Sequence, residues 1–207
     1  MTDGNSVLGL LERWSPTLFL VSGVILIAFA TSMAAIGLMD MSLPRSVFAG
    51  AGFTLAFLGL LGLYPGLADR SPRLARAGAV FAVLGALGFT VTFVIATAEF
   101  GGIARPAWVE PIQLLNIIGL ILGFSVFGVG ILRTDMHANL LGGFLLVPAV
   151  VFAVNLVRVV ILGAWTPSWA PFVLGSLQAL AMLSIGYSLR TESTTTERVE
   201  RPTDKTV

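Results

Sequence analysis

The sequence predicts an all-helical protein, a bundle of six transmembrane helices with both termini in the cytoplasm. Its 207 residues are 56% hydrophobic and only 11% charged, whereas an ordinary soluble domain carries about 25% charged residues. The apolar residues occur in six blocks, each close to the roughly 20 residues that a helix needs to cross a bilayer. These blocks lack the alternation of polar and apolar faces that is typical of a helix on a soluble core.

The first two spans are predicted at residues 16–39 and 47–66. Residues 1–14 form a short interfacial segment, and the first helix starts at Ser15 and Pro16, which suit its N-cap and first helical position. The second span carries small residues at four-residue spacing, which let helices approach closely where apolar burial gives no driving force: Gly52 and Ala56, then Gly62 and Gly66.

The remaining spans are predicted at 77–98, 111–132, 140–164 and 171–189, which completes a transmembrane domain over residues 15–189. Pro148 is expected to kink or loosen the fifth helix. Residues 190–207 are polar, rich in threonine and mixed in charge, so we expect a disordered tail.

The distribution of basic residues predicts the orientation. An even number of spans places both termini on one side, together with the second and fourth loops. Nine basic residues fall on that side: Arg13, Arg70, Arg73, Arg76, Arg133, Arg190, Arg198, Arg201 and Lys205. The other side has Arg45 and Arg105. Basic residues concentrate in cytoplasmic loops, so we expect a multi-pass protein of the cell membrane with cytoplasmic termini.

Two segments, GLYPGLADRSPRLARAGA and FGVGILRTDMHANLLGGFLLVPA, each join a helix end, a basic turn and a helix start rich in small residues. They resemble a group of small uncharacterised six-helix membrane proteins found in halophilic archaea. The resemblance covers residues 14–189 and implies the six-helix fold, without implying an activity.

The sequence gives no positive indication of catalysis. It has no cysteine, which excludes disulfides and thiolate chemistry, and no glycine-rich phosphate loop. Ser125 would need a base to act as a nucleophile, and His137, the single histidine, is predicted at the cytoplasmic end of the next helix. We therefore expect no catalytic residue, cofactor or metal site. A net charge of +1 gives no reason to expect nucleic-acid binding.

One group of polar residues stands out in the outer half of the predicted bundle. Arg158 and Asn155 are three residues apart and share a helical face, and a charged residue inside a membrane segment normally has a partner or faces a wet cavity. The first choice of partner for Arg158 is Glu110, and the second is Glu99. The whole group could form a structural clamp or line an outward-facing cavity: Glu99, Glu110, Gln113, Asn116, Asn155, Arg158 and Gln178.

Two functions follow from these alternatives. A clamp favours a non-catalytic membrane module or accessory subunit, and a cavity favours a small carrier or channel lined by the third to sixth helices. Apart from Thr31, Ser32, Ser125 and Pro148, the inner halves of the spans offer few polar groups or helix breaks, which favours the module. The expected partners are the lipid bilayer and a second copy or another membrane subunit, bound through small-residue helix faces.

Overall fold

The computed structural model of the protein describes residues 7–39, 44–134, 137, 139–157 and 169–200. All elements within these residues are helical. The α-helices are α1 (Val7–Met39), α2 (Arg45–Gly62), α3 (Tyr64–Arg70), α4 (Pro72–Phe100), α5 (Glu110–Ile118), α6 (Phe124–Thr134), α7 (Asn139–Val157) and α8 (Ala170–Glu200). A single 3-10 turn, Ala107–Val109, precedes α5, and a π-helical segment, Gly119–Gly123, joins α5 to α6.

These elements combine into six helical spans that are long and apolar enough to cross a membrane. Two of the spans are composite. The second joins α2 to α3 through Leu63, whose amide donates to the carbonyl oxygen of Leu60. The fourth runs from Ala107 to Thr134 through the 3-10, α and π segments. The predicted all-helical class with six membrane-length helices is therefore confirmed.

The six spans form a closed ring in which each span is antiparallel to the span before it and the span after it. Each span packs against the next, and α1 packs against α8 as extensively as it packs against α2. We call the end of the bundle where α1, α4 and α7 begin the near end. The far end is where α1 and α4 finish and where α2 and α8 begin.

Glycines allow this close packing of helix on helix. A side chain on Gly50 would lie 2.7 Å from the backbone of Phe93, and one on Gly186 would lie 2.8 Å from the carbonyl oxygen of Pro16. The α1–α2 contact adds two hydrogen bonds between helices. Ser15 and Ser22 donate to the carbonyl oxygens of Gly59 and Gly52, each at 2.8 Å. The two serines and the two glycines are each seven residues apart, so both bonds lie on one helical seam.

Phenylalanines fill the centre of the ring. The Phe57 ring is fully buried, stacks on Phe89 at a centroid distance of 5.8 Å and meets Phe124 edge-on at 5.3 Å. It occupies space that side chains on Gly85 and Gly123 would need. Such pairs stabilise a core beyond the area that they bury.

Several helices extend beyond their predicted ends. α1 begins at Val7 and continues through Pro16, because Ser15 bonds across to α2 and does not cap the helix. α4 begins at Pro72, ahead of the predicted residue 77. α8 is described to Glu200, and the disorder expected of the polar tail at 190–207 stays a prediction.

Candidate functional site

The predicted polar group is only partly visible in the structure. Arg158 and the side chain of Glu110 lie outside the described residues, so the predicted ion pair between them stays a prediction. The other five members are described, and they fall into different environments: Glu99, Gln113, Asn116, Asn155 and Gln178.

Asn116 is the best-defined member of the group. It lies on α5 with 7% of its surface exposed, and its Nδ2 donates to Thr92 Oγ1 on α4 at 2.9 Å. The Thr92 hydroxyl donates in turn to the carbonyl oxygen of Gly88 at 3.0 Å. The two bonds form a short polar chain that joins the third and fourth spans about 12 Å inside the far end, at 1.5 Å per residue.

The oxygen of the Asn116 amide differs from its nitrogen in how it is satisfied. Among the described residues nothing donates to its buried Oδ1, which lies against Gly88 where a side chain would otherwise stand. A buried acceptor without a donor costs about 1–3 kcal/mol. Only a glycine at position 88 leaves room for the amide in this orientation.

A π-helical segment begins three residues after Asn116. Gly119, its first residue, packs directly on the backbone of Gly85 in α4, and Gly123, its last, borders the Phe57 ring. A π segment widens the helix and shifts the face that follows it, and such segments are frequent at functional sites. Here it lets the fourth span bring both Asn116 and the α6 residue Phe127 against α4.

Glu99 lies near the far end of α4 and pairs with an arginine in the following loop. Arg105 Nη1 is 3.6 Å from Glu99 Oε1, with 44% and 29% of the two side chains exposed. This separation is too long for a direct hydrogen bond, and Glu99 Oε1 accepts none from the described residues. The cation nearest to the Glu99 carboxylate among the described residues is therefore Arg105, which was not among the partners considered from the sequence.

The remaining three members differ in exposure, and whether they form one cluster with Arg158 stays a prediction. Gln113 is exposed on α5, although it lies only three residues before the buried Asn116. Gln178 is buried on α8, and Asn155 is half-buried on α7 and makes a polar interaction of its own. The described contacts thus join Asn116 to α4 and leave Gln113 facing outward.

A second polar cluster lies at the near end, and sequence reasoning did not find it. The His137 Nδ1 atom and the Glu192 Oε2 atom form a hydrogen-bonded pair between the α6–α7 turn and α8. Arg70 Nη1 donates to the carbonyl oxygen of Thr134 at 2.7 Å, which caps the end of α6. No sequence pattern predicts the pairing of His137 with Glu192, because the two residues are 55 positions apart and Glu192 lies in the segment predicted to be disordered.

The described side chains of the near-end cluster are His137, Glu192 and Arg70. No group of three or more potential metal ligands occurs among the described residues. What this end offers is a fixed helix turn, an acidic side chain and an adjoining groove between α7 and α8.

Comparison of the chain with protein-family models, with curated proteins and with solved structures gives no match. The function is therefore inferred from the described residues and their contacts.

Proposed function

We propose that the protein is a non-catalytic membrane module, an accessory subunit that crosses the cell membrane six times with both termini in the cytoplasm. The observation that supports this most strongly is the filled interior of the ring. At mid-height the centre holds Phe57, Phe89 and Phe124 with little or no exposed surface. A carrier or channel would need polar groups, broken helices or a cavity at that level.

The hydroxyl groups of the spans support the same conclusion. Thr54, Thr90 and Thr92 donate to carbonyl oxygens four residues earlier in their own helices, and Ser15 and Ser22 donate across to α2. The threonine bonds satisfy hydroxyls within their own helices, and the two serine bonds join α1 to α2. Each of these five hydroxyls therefore has a protein acceptor and needs no solute to satisfy it.

An accessory subunit needs a surface for its partner, and α7 offers one. Most of the described helical glycines of the bundle lie against a neighbouring helix. Gly143 of α7 is different, because it is exposed and has no atom within contact distance. Val150, Val154 and Val157 are more than half exposed and follow Gly143 at intervals of seven, four and three residues. This spacing gives a narrow apolar stripe of the kind that a second helix packs against.

A small carrier is the second candidate, and the unpartnered Asn116 Oδ1 is the observation that favours it. A buried acceptor beside a π segment could receive a hydrogen-bond donor if the fourth span moved. The phenylalanine centre would then have to open toward the near end as well. The closed module requires no such movement.

Accessibility of single cysteines to a charged, membrane-impermeant thiol reagent separates the two functions. The chain has no cysteine, so each variant reports one position. In membranes open to reagent on both sides, Leu60→Cys and Phe124→Cys, both fully buried, should stay unmodified while the control Gly101→Cys in the exposed loop reacts. Modification of both buried positions, in variants that keep the parent thermal midpoint, would reveal a water path and favour the carrier.

A further inference from the structure

An open groove of about 400 Å³ runs between α7 and α8 at the near end of the bundle. Its volume lies within the range of small-molecule sites, about 300–1,000 Å³. The residues that line it are Leu140 and Phe144 from α7 and Ser184, Tyr187, Ser188, Thr191 and Glu192 from α8. The groove is thus a feature of the helix pair and not of a loop.

The two walls of the groove differ in chemistry. The α7 wall is apolar, whereas Ser184, Ser188 and Glu192 repeat at four-residue intervals along the α8 wall and so lie on one face. The hydroxyls of Ser184 and Ser188 make no hydrogen bond within the part of the chain that the structure describes. Serine and threonine hydroxyls elsewhere in the bundle, such as those of Thr54 and Thr90, bond to a carbonyl of their own helix. The α8 wall therefore presents two half-buried hydroxyls that are free to bind an occupant.

The position of the groove fits an amphiphile that lies along a membrane helix. Arg190 and Glu192 are the first charged residues after the apolar run that begins α8, and Ser184 is two turns before Glu192, about 12 Å deeper at 1.5 Å per residue. The groove therefore passes from the polar boundary into the apolar zone. Tyr187 and Leu140, which are 67% and 64% exposed, stand at its open side, where lipid would surround the bundle.

The charge at the mouth of the groove indicates the headgroup. Glu192 is the one charged residue among the described residues that line it, and it is held in place by His137 from the α6–α7 turn. A carboxylate at this point attracts an ammonium group and offers no favourable contact to a headgroup that carries a phosphate without one. A fixed carboxylate also loses less side-chain entropy on binding than a mobile one.

We propose that this groove binds a membrane glycerolipid with an ammonium-bearing headgroup. The ammonium lies at Glu192, oxygen atoms of the glycerol region accept hydrogen bonds from Ser188 and Ser184, and one hydrocarbon chain lies against Leu140 and Phe144. The inference rests on the proposed placement of the bundle in a membrane. It does not depend on whether the protein is an accessory subunit or a carrier.

Native mass spectrometry of the delipidated protein in detergent can test the proposal. The probes are phosphatidylethanolamine and phosphatidylglycerol with identical chains, added singly and in competition. We expect saturable binding of one phosphatidylethanolamine, with phosphatidylglycerol at least about fivefold weaker, the equivalent of one hydrogen bond of about 1 kcal/mol. Equal binding of both lipids, or adducts that increase without saturation, would overturn the proposal.

Variants locate the binding. The double variant Ser184→Leu with Ser188→Leu fills the groove and should weaken phosphatidylethanolamine binding about fivefold or more. The matched control is Ser176→Leu, a half-buried serine on the same helix outside the groove, which should bind as the parent does. Equal losses in the control and the double variant, or no loss in either, would contradict a site in the groove.

Glu192→Gln keeps the shape of the side chain and removes its charge. It should reduce the preference for phosphatidylethanolamine over phosphatidylglycerol to near unity, even if the double variant does not fold. An unchanged preference would contradict the assignment of the headgroup. Recovery of the protein in the membrane fraction tests the underlying membrane placement separately, so a failure of lipid binding can be told from a failure of the proposed function.

Discussion

Asn116 and Thr92 are joined by a hydrogen bond of 2.9 Å between α5 and α4. Within the described part of the chain, the Asn116 Oδ1 atom accepts no hydrogen bond. We expect Thr92→Val to destabilise the protein by about 1 kcal/mol, since it leaves the buried Nδ2 atom of Asn116 unpaired as well. Thermal and denaturant unfolding in detergent measures this loss.

The double variant Thr92→Val with Asn116→Leu supplies the control for that prediction. Replacing both partners with apolar groups of similar shape can be nearly neutral, so we expect the double variant to be more stable than Thr92→Val alone. Additive losses would mean that the two side chains contribute independently.

Gly88 should tolerate no side chain. Gly88→Ala places a methyl group where Asn116 Oδ1 now lies, so the amide and the helix that carries it must shift, at a cost of about 1–3 kcal/mol. Gly143→Ala is the matched control, because open space surrounds this helical glycine. Alanine there should leave stability unchanged or raise it by up to about 1 kcal/mol through helix propensity. Equal effects at both positions would argue against the close approach of α4 and α5.

The serine bonds between α1 and α2 should be measurable one at a time. Ser22→Ala removes the bond to the Gly52 carbonyl and should lower the free energy of unfolding by about 0.5–1.5 kcal/mol. Thr31→Ala removes an exposed bond within α1 and should cost less. A larger loss of stability for Thr31→Ala than for Ser22→Ala would contradict a stabilising role for the serine bonds between α1 and α2.

The proposed orientation predicts a labelling pattern in intact cells. Cysteines at Ser71 and Thr134, at the near end, should be protected from an impermeant thiol reagent, while a cysteine at Gly101 should react. The physical reason is the excess of arginine at the near end, because basic residues are retained in the cytoplasm. The reverse pattern, or reaction at all three positions, would contradict cytoplasmic termini.

The α7 stripe predicts a contact that cross-linking can detect if the partner is a second copy. Val150 and Val80 are equally exposed, at 59%, on α7 and α4 respectively. Mild oxidation of membranes should link Val150→Cys into a dimer and leave Val80→Cys monomeric, since α7 carries an exposed glycine beside its valine stripe whereas the glycines within α4 are buried. Dimers of both variants would indicate random collision, and dimers of neither would exclude a second copy at this face.

Much of the fold could be predicted because it follows from local composition. Runs of apolar residues mark the spans wherever they occur, and small residues such as Gly52 and Ala56 indicate close packing. Helix ends were harder to predict, because tertiary contacts decide them. Ser15 and Pro16 have the local chemistry of a helix start, yet the bond from Ser15 to Gly59 holds them inside α1.

The candidate site was less predictable because side-chain pairing depends on helix rotation. Asn116 and Gln113 are three residues apart, and a simple reading puts both on one inward face. In the structure Asn116 is buried against Thr92 while Gln113 is exposed. Nothing local in the sequence distinguishes the two, and the pairing of His137 with Glu192 likewise depends on how α8 passes the α6–α7 turn.

The closure of the ring by α1 and α8 has a consequence for biosynthesis. A ribosome delivers α1 first and α8 last, so the face of α1 that bears Gly23 and Leu20 has no protein neighbour until translation is nearly complete; its eventual contacts are Leu183 and Gly186. The opposite face of α1 can pair with α2 as soon as that helix emerges, through Ser15 and Ser22. Nascent chains stalled before residue 170 would therefore leave that face of α1 without its protein neighbour, and the contacts of α8 with α1 would complete the ring last.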